Sequence, residues 1–213
     1  MKDDSTYLNA LINEGEHQHQ DFKFEISNSR KIAKTLVAFA NTDGGRLLIG
    51  VKDNGRITGI RSEEEFYMIE AAATMYCRPE VTFETYHRVS EGRTVLEIIV
   101  PVSELKPHYA EEEPGKWRAY HRVNDNNFLV DFIQLQVWKR EKRKTGTFIE
   151  YSEKEKAVLD ALERSGTADL NSIRTMTGMK KRELQYLITN LICLEAVEMV
   201  FLEHLVSFRL TGE

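Results

Sequence analysis

Cysteine is scarce in this 213-residue chain: Cys77 and Cys193 stand far apart and outside any CxxC or Cys/His spacing. That excludes a zinc-finger or ribbon framework and marks both thiols as reduced core residues of a cytoplasmic protein. Long apolar runs are also missing. The longest, Val95 to Val102, is interrupted by Glu97 and is too short to span a bilayer. The first residues, MKDDSTYLNA, place an acidic pair where a secretory signal carries a basic stretch and an apolar run. A soluble, cytoplasmic chain without a membrane partner is expected. Positive charge is not in excess, since 29 Lys and Arg face 34 Asp and Glu, for a net charge of -5 and a pI near 5.8. An overall polycation is excluded, so any nucleic-acid surface must be a local patch. No GxxxxGK[ST] loop occurs, which speaks against nucleotide hydrolysis. Internal repeats and low-complexity tracts are absent as well.

What is present suits one substantial core and a second, smaller one. Ser5 caps a helix carrying Leu8, Leu11 and Ile12 that stops by Gly15. Strict alternation from Asp21 to Ile26 predicts a half-buried strand, with Phe22, Phe24 and Ile26 inward and Asp21, Lys23 and Glu25 in water. A helix follows to about Asn41, then the turn Asp43-Gly44-Gly45, whose glycines serve a sharp reversal. Arg46 to Asp53 and Arg56 to Ile60 form a predicted β-hairpin around Asn54-Gly55. A helix over about 62–76, strands near 81–89, 94–102 and 117–121, and a helix from about Asn127 to Arg143 complete an α+β domain.

The basic cluster Lys139, Arg140, Lys142, Arg143, Lys144 and the stretch Thr145-Gly146-Thr147 mark a domain boundary. The expected division is an α+β domain over 1–144, a hinge over 145–150 and a winged helix-turn-helix domain over 151–213. In the last, Ser152 and Glu155 form a capping box, Gly166 and Gly178 end two helices, a third begins near Lys180, and 197–210 alternates as a hairpin with Glu203-His204 at its tip.

Two groups of residues point to nucleic acid. Lys180, Lys181 and Arg182 open the third helix of the winged helix, with Arg174 on the preceding helix placed to grip a backbone. Residues 151–213 nevertheless hold eight Lys and Arg against ten Asp and Glu, so attraction must come from that corner and the 139–144 cluster. In the first domain Lys106, His108, Arg118, His121 and Arg122 alternate with Tyr109, Trp117 and Tyr120, a mixture suited to phosphate contact and stacking. His17 and His19 project from one face of an extended segment beside Glu16.

Several motifs converge on one resemblance: Glu16 with Asp21-Phe22-Lys23, Ala38 to Gly45 as AFANTDGG, Leu48 to Gly55 as LIGVKDNG, and Lys106-Pro107-His108-Tyr109 before Tyr120-His121-Arg122-Val123. Together they resemble the Alba-like domain of the Schlafen family over about residues 7–140. The resemblance implies a mixed-sheet α+β fold and, in bacterial members, a winged helix after it. RNA-cleaving members use three carboxylates, and the matching positions are Glu16, Asp21 and Asp53, with aspartate at 21 where a longer glutamate is usual. Such a trio can hold one or two divalent cations, Mg or Mn, while Lys23 contacts phosphate.

The first expectation is therefore a nucleic-acid-binding protein, DNA favoured over RNA: a transcriptional regulator that acts as a homodimer and needs no cofactor to bind. The alternative is a metal-dependent nuclease with Glu16, Asp21 and Asp53 as catalytic residues and metal ligands and Lys23 as a catalytic partner. A third expectation is a winged-helix assembly module.

Overall fold

The structure, a computed structural model, describes residues 4–142, 151–202 and 205–212. The chain is a mixed α+β protein that divides into two compact units, Met1–Val130 and Asp131–Glu213.

The first unit opens with α1 (Asp4–Glu14), β1 (Gln20–Lys23), α2 (Ser29–Asn41), β2 (Gly45–Ile49), α3 (Glu64–Met75) and β3 (Cys77–Arg78). It continues with β4 (Glu84–Ser90), β5 (Arg93–Val100), β6 (Tyr109–Glu113), β7 (Lys116–Arg118), β8 (Tyr120–Val123) and β9 (Asn126–Leu129). The main sheet runs β1-β2-β5-β4, with β1 parallel to β2 and the remaining pairs antiparallel. β3, β6 and β7 form a second sheet, and β8 and β9 a hairpin. β6 and β8 both pack on α2.

The apolar run of β2 follows from its position. Leu47 and Ile49 join the core formed with Leu36 and Val37 of α2 and Ile69 of α3, whereas Leu48 packs with Leu8 and Leu11 of α1. A strand covered on both faces has no polar side to show. Glu97 of β5 is fully buried on the α1 side, and its carboxylate meets Tyr7 Oη, Arg46 Nε and Arg88 Nε at 2.8 Å each. Three partners satisfy the charge in a place where an unpaired one costs several kcal/mol.

The turn after α2 requires its glycines. Gly44 has φ +70°, and a Cβ there would lie 2.8 Å from Val100 O; one on Gly45 would lie 2.3 Å from the Phe39 ring. Asn41, fully buried, donates through Nδ2 to His108 O at 2.9 Å and Tyr120 O at 2.8 Å and accepts from His108 N at 2.7 Å. The end of α2 is thereby clipped to two segments far away in sequence.

Three expectations are corrected here. The strand at 21–26 ends at Lys23; Asp21 is buried and Phe24 is 37% exposed, because Arg122 reaches in from β8 to meet Asp21. The hairpin around Asn54-Gly55 keeps its turn, with Gly55 N donating to Lys52 O at 2.8 Å, but its arms pair only next to the turn, through the bridge Val51–Ile57 and the bonds Lys52 N to Arg56 O and Thr58 N to Gly50 O. β1 and β5 instead occupy both edges of β2. The helix expected from Asn127 begins at Phe132 behind an Asp131 cap, because Asn126–Leu129 pairs with β8.

That helix, α4 (Phe132–Glu141), belongs to the second unit, not to the α+β domain: Ile133 and Val137 share a core with Leu184, Leu187 and Ile188. The unit continues with α5 (Glu153–Ser165), β10 (Thr167–Asp169), α6 (Leu170–Thr177), α7 (Lys181–Cys193), β11 (Val197–Leu202) and β12 (Leu205–Leu210). Its sheet is antiparallel in the order β10-β12-β11. The Ser152/Glu155 capping box starts α5, and Gly166 and Gly178, at φ +66° and +67°, end α5 and α6. The hinge at 145–150, Arg143 and Lys144 of the basic cluster, and the tip Glu203-His204 lie outside the described residues.

Candidate functional site

The pairing of β1 with β2 brings the carboxyl end of β1 beside the turn after β2, where Gly50 N and Val51 N donate to Lys23 O at 2.8 and 3.3 Å. Glu16 sits at the other side of β1, half-buried, and its Oε1 accepts from Phe22 N at 2.8 Å. Burial pushes the Glu16 carboxyl up, and the neighbouring Asp21 carboxylate adds to the rise against the Phe22 N–H and Lys23. Asp21 is held on both oxygens: Lys23 Nζ lies 2.8 Å from Oδ2 and Arg122 Nη2 3.5 Å from Oδ1.

Arg122 is the centre of this arrangement. It is 1% exposed, and its guanidinium donates to His17 O at 3.1 Å, Asn127 Oδ1 at 3.1 Å and Gln20 O at 2.9 Å. Its face lies 4.8 Å from the Phe39 ring centroid. A planar fork with donors on separate nitrogens can serve acceptors on several segments at once, whereas a lysine gathers its donors on one nitrogen.

The structure therefore joins Glu16, Asp21 and Lys23 and leaves Asp53 exposed in the turn after Val51. Among the described residues no three His, Cys, Asp or Glu form a group that can hold a metal ion. The expected three-carboxylate metal centre is corrected on that point: Asp21 is turned inward and neutralised by Lys23 and Arg122. His17 and His19 stand edge to face, ring centroids 6.2 Å apart, with His17 Nε2 3.6 Å from Glu14 Oε2.

The group of Lys106, His108, Arg118 and Arg122 is only partly at the surface. Arg118 is exposed and Lys106 half-buried. Arg122 and His108 are corrected as phosphate ligands, since both are buried in internal bonds; His108 Nδ1 meets Pro79 O at 2.8 Å and Nε2 meets Ser103 Oγ at 2.6 Å. His121 is buried too, and burial lowers its pKa to about 4. The aromatics there are covered by the chain's own cations: Arg78 lies 4.1 Å over Trp117 and Lys34 5.2 Å over Tyr120.

Two cations not anticipated from the sequence flank Phe24, one of them, Arg61, paired with Glu25 Oε2 at 3.3 Å. Lys52 Nζ is 5.0 Å and Arg61 Cζ 5.6 Å from its ring centroid. The available signal was Lys52 inside the LIGVKDNG run, one residue before Asp53.

In the second unit Lys180 is the N-cap of α7, and Lys181 and Arg182 begin its first turn; all three are exposed, as is Arg174 on α6. Glu183, the acid of that turn, is bound to Lys154. Among the described residues none of Arg174, Lys180, Lys181 and Arg182 has a carboxylate partner. Also among them, no helix is long and apolar enough to cross a membrane.

No curated protein matches the chain. Among solved structures, a protein of Corynebacterium diphtheriae is similar over 78% of this chain, at 18% identity and a TM-score of 0.47. The chain spans 31% of that protein's length. The N-terminal domain of a RecG-related protein of Nitrosomonas europaea is similar over 58% of this chain and 90% of its own, at 25% identity and a TM-score of 0.42. The family described as Schlafen, AlbA_2 matches residues 16–131, a span that runs from Glu16 through the Asn41 clip and the buried Arg122. Since that is more than half of the 213 residues, the chain belongs to the Schlafen AlbA_2 family.

Proposed function

We propose that this protein binds nucleic acid, DNA in preference to RNA, and that its second unit is a winged helix-turn-helix domain presenting the start of α7 to a duplex. The observation that carries this reading is the exposed run Lys180, Lys181 and Arg182, left without carboxylate partners while Glu183 is occupied by Lys154. Three unpaired cations at a helix N-terminus make a compact phosphate-facing patch on a net acidic chain. Arg174 adds a fourth from α6, the helix that crosses the backbone in such domains. Membership of the Schlafen AlbA_2 family and the cation Lys52 beside Phe24 support a separate contact from the first unit. Two weak contacts on one chain gain affinity by linkage.

On this reading the protein acts as a transcriptional regulator and engages paired half-sites as a homodimer, by analogy with other winged-helix readers. A nuclease reading is less well supported. Mg or Mn held by Glu16, Asp21 and Asp53 requires three free carboxylates, and Asp21 is committed to Lys23 and Arg122. The residues present do not fit that ion. Gel-shift titration with one sequence as DNA duplex and as RNA duplex, using the wild type and Lys180→Ala with Arg182→Ala, tests the proposal. Preferential DNA binding weakened by the double variant supports it, and equal binding by both proteins removes α7 from the interface.

A further inference from the structure

α4 and α7 flank a groove of about 560 Å³ that shares Lys181 and Arg182 with the proposed duplex surface and adds an aromatic part that surface does not use. Its walls carry Phe132 and Arg140 from α4 and Lys181, Arg182 and Tyr186 from α7. The volume lies in the range of small-ligand sites.

Two features define what fits. Phe132 and Tyr186 are 52% and 60% exposed, so both rings are open to the groove even though Arg140 lies over part of Tyr186. The Arg140 guanidinium lies 4.9 Å from the Tyr186 centroid and donates to Asn190 Oδ1, which fixes it beside the ring. The second feature is charge. No carboxylate lines the groove, and among the described residues Arg140, Lys181 and Arg182 have no carboxylate partner. α7 also starts without a side-chain cap, because Lys180 offers no acceptor to its first turn.

The complementary ligand carries negative charge at the α7 end and a flat apolar face for Tyr186 and Phe132. Gln136 and Gln185, also on the walls, offer amide donors and acceptors to the edge of such a face. We infer that the groove between α4 and α7 binds one unpaired nucleotide, its base against Tyr186 and Phe132 and its phosphate against Lys181 and Arg182. Stacking on an aromatic side chain beside a cation is how sequence-tolerant single-strand sites work. The inference deepens the nucleic-acid reading but does not depend on duplex binding. The same chemistry is offered by a nucleotide within a strand and by a free mononucleotide.

The test uses the full chain, with labelled oligo-dT and a labelled duplex read by fluorescence anisotropy and AMP as competitor. Tyr186→Ala and Phe132→Ala should each weaken oligo-dT binding about tenfold, with duplex affinity within about twofold of wild type. Tyr186→Phe, which keeps the ring, should bind oligo-dT as wild type does. Arg174→Ala, outside the groove, should show the reverse pattern, weaker on duplex and unchanged on oligo-dT. Competition by AMP assigns the site to free nucleotides, and its failure assigns it to a strand. Oligo-dT and AMP both left unbound, or bound equally by Tyr186→Ala with an unchanged circular dichroism spectrum, overturns the inference. Duplex binding survives that outcome if the proposed function is right. Oligo-dT binding through Tyr186 without duplex binding refutes the α7 duplex reading and leaves the groove.

Discussion

Arg122 on β8 and Asp21 on β1 meet at 3.5 Å with their side chains 0% and 7% exposed, tying the β8–β9 hairpin to the edge of the main sheet. Removing one partner of a buried pair leaves the other uncompensated. Arg122→Ala also takes one donor each from His17 O and Gln20 O, which keep only their mutual backbone bonds, so a loss of about 3–5 kcal/mol in urea unfolding is expected. Asp21→Asn should cost distinctly less, because Arg122 keeps its three other acceptors. Equal losses from the two substitutions would contradict this assignment.

Glu16 gives a pH signature of the carboxylate pair. Its folded pKa is raised by burial and by Asp21, so its contribution to stability is full below the unfolded value and is lost as pH rises through the folded one. Glu16→Gln keeps an acceptor for Phe22 N and removes the ionisation. Its urea midpoint should exceed that of wild type at neutral pH, and the gap should close as the solution is acidified.

His121 has the opposite sign. Burial lowers its pKa from the model-compound 6.5 to about 4, so the fold favours the neutral ring. The associated stability is complete above 6.5 and falls as pH drops towards 4, by on the order of 3 kcal/mol in total. His121→Phe should flatten that limb of the stability curve; an unchanged limb would assign it to other groups.

Asn41→Ala removes three bonds that clip α2 to His108 and Tyr120 and leaves buried backbone groups unpaired. A loss of about 3 kcal/mol is expected. Asn41→Asp, which turns a buried carboxylate oxygen onto the His108 and Tyr120 carbonyls, should lose at least as much in the same unfolding assay.

Much of this was legible in the sequence where local chemistry decides. The Ser152/Glu155 box, the stops at Gly166 and Gly178 and the stripe of α7 all depend on residues a few positions apart. The reversal at Gly44-Gly45 was legible too, although its tightest contacts, with Val100 and Phe39, are tertiary. Distant contacts were not legible. Asp21 sits in a run that alternates like a solvated strand, and only an arginine 101 residues later makes it a buried one. His108 and Arg122 read as surface ligands because their acceptors, Pro79 O, His17 O and Gln20 O, are backbone atoms that no side-chain pattern announces. The hairpin after β2 is shorter than expected for a related reason: Asn54-Gly55 favours the turn and the arms pair beside it, but β1 and β5 take the edges of β2 itself. The helix over α4 was drawn too early because Asn126–Leu129 carries no strand alternation of its own.

The most direct test of the central claim is the affinity of the full chain for duplex DNA across a salt series, for wild type beside Lys180→Ala with Lys181→Ala. Wild-type affinity should fall steeply with salt, and the double variant should bind more weakly with a slope of log K against log salt smaller by about two. Binding that ignores salt, or the same slope in both proteins, would contradict the claim that the start of α7 meets the phosphate backbone.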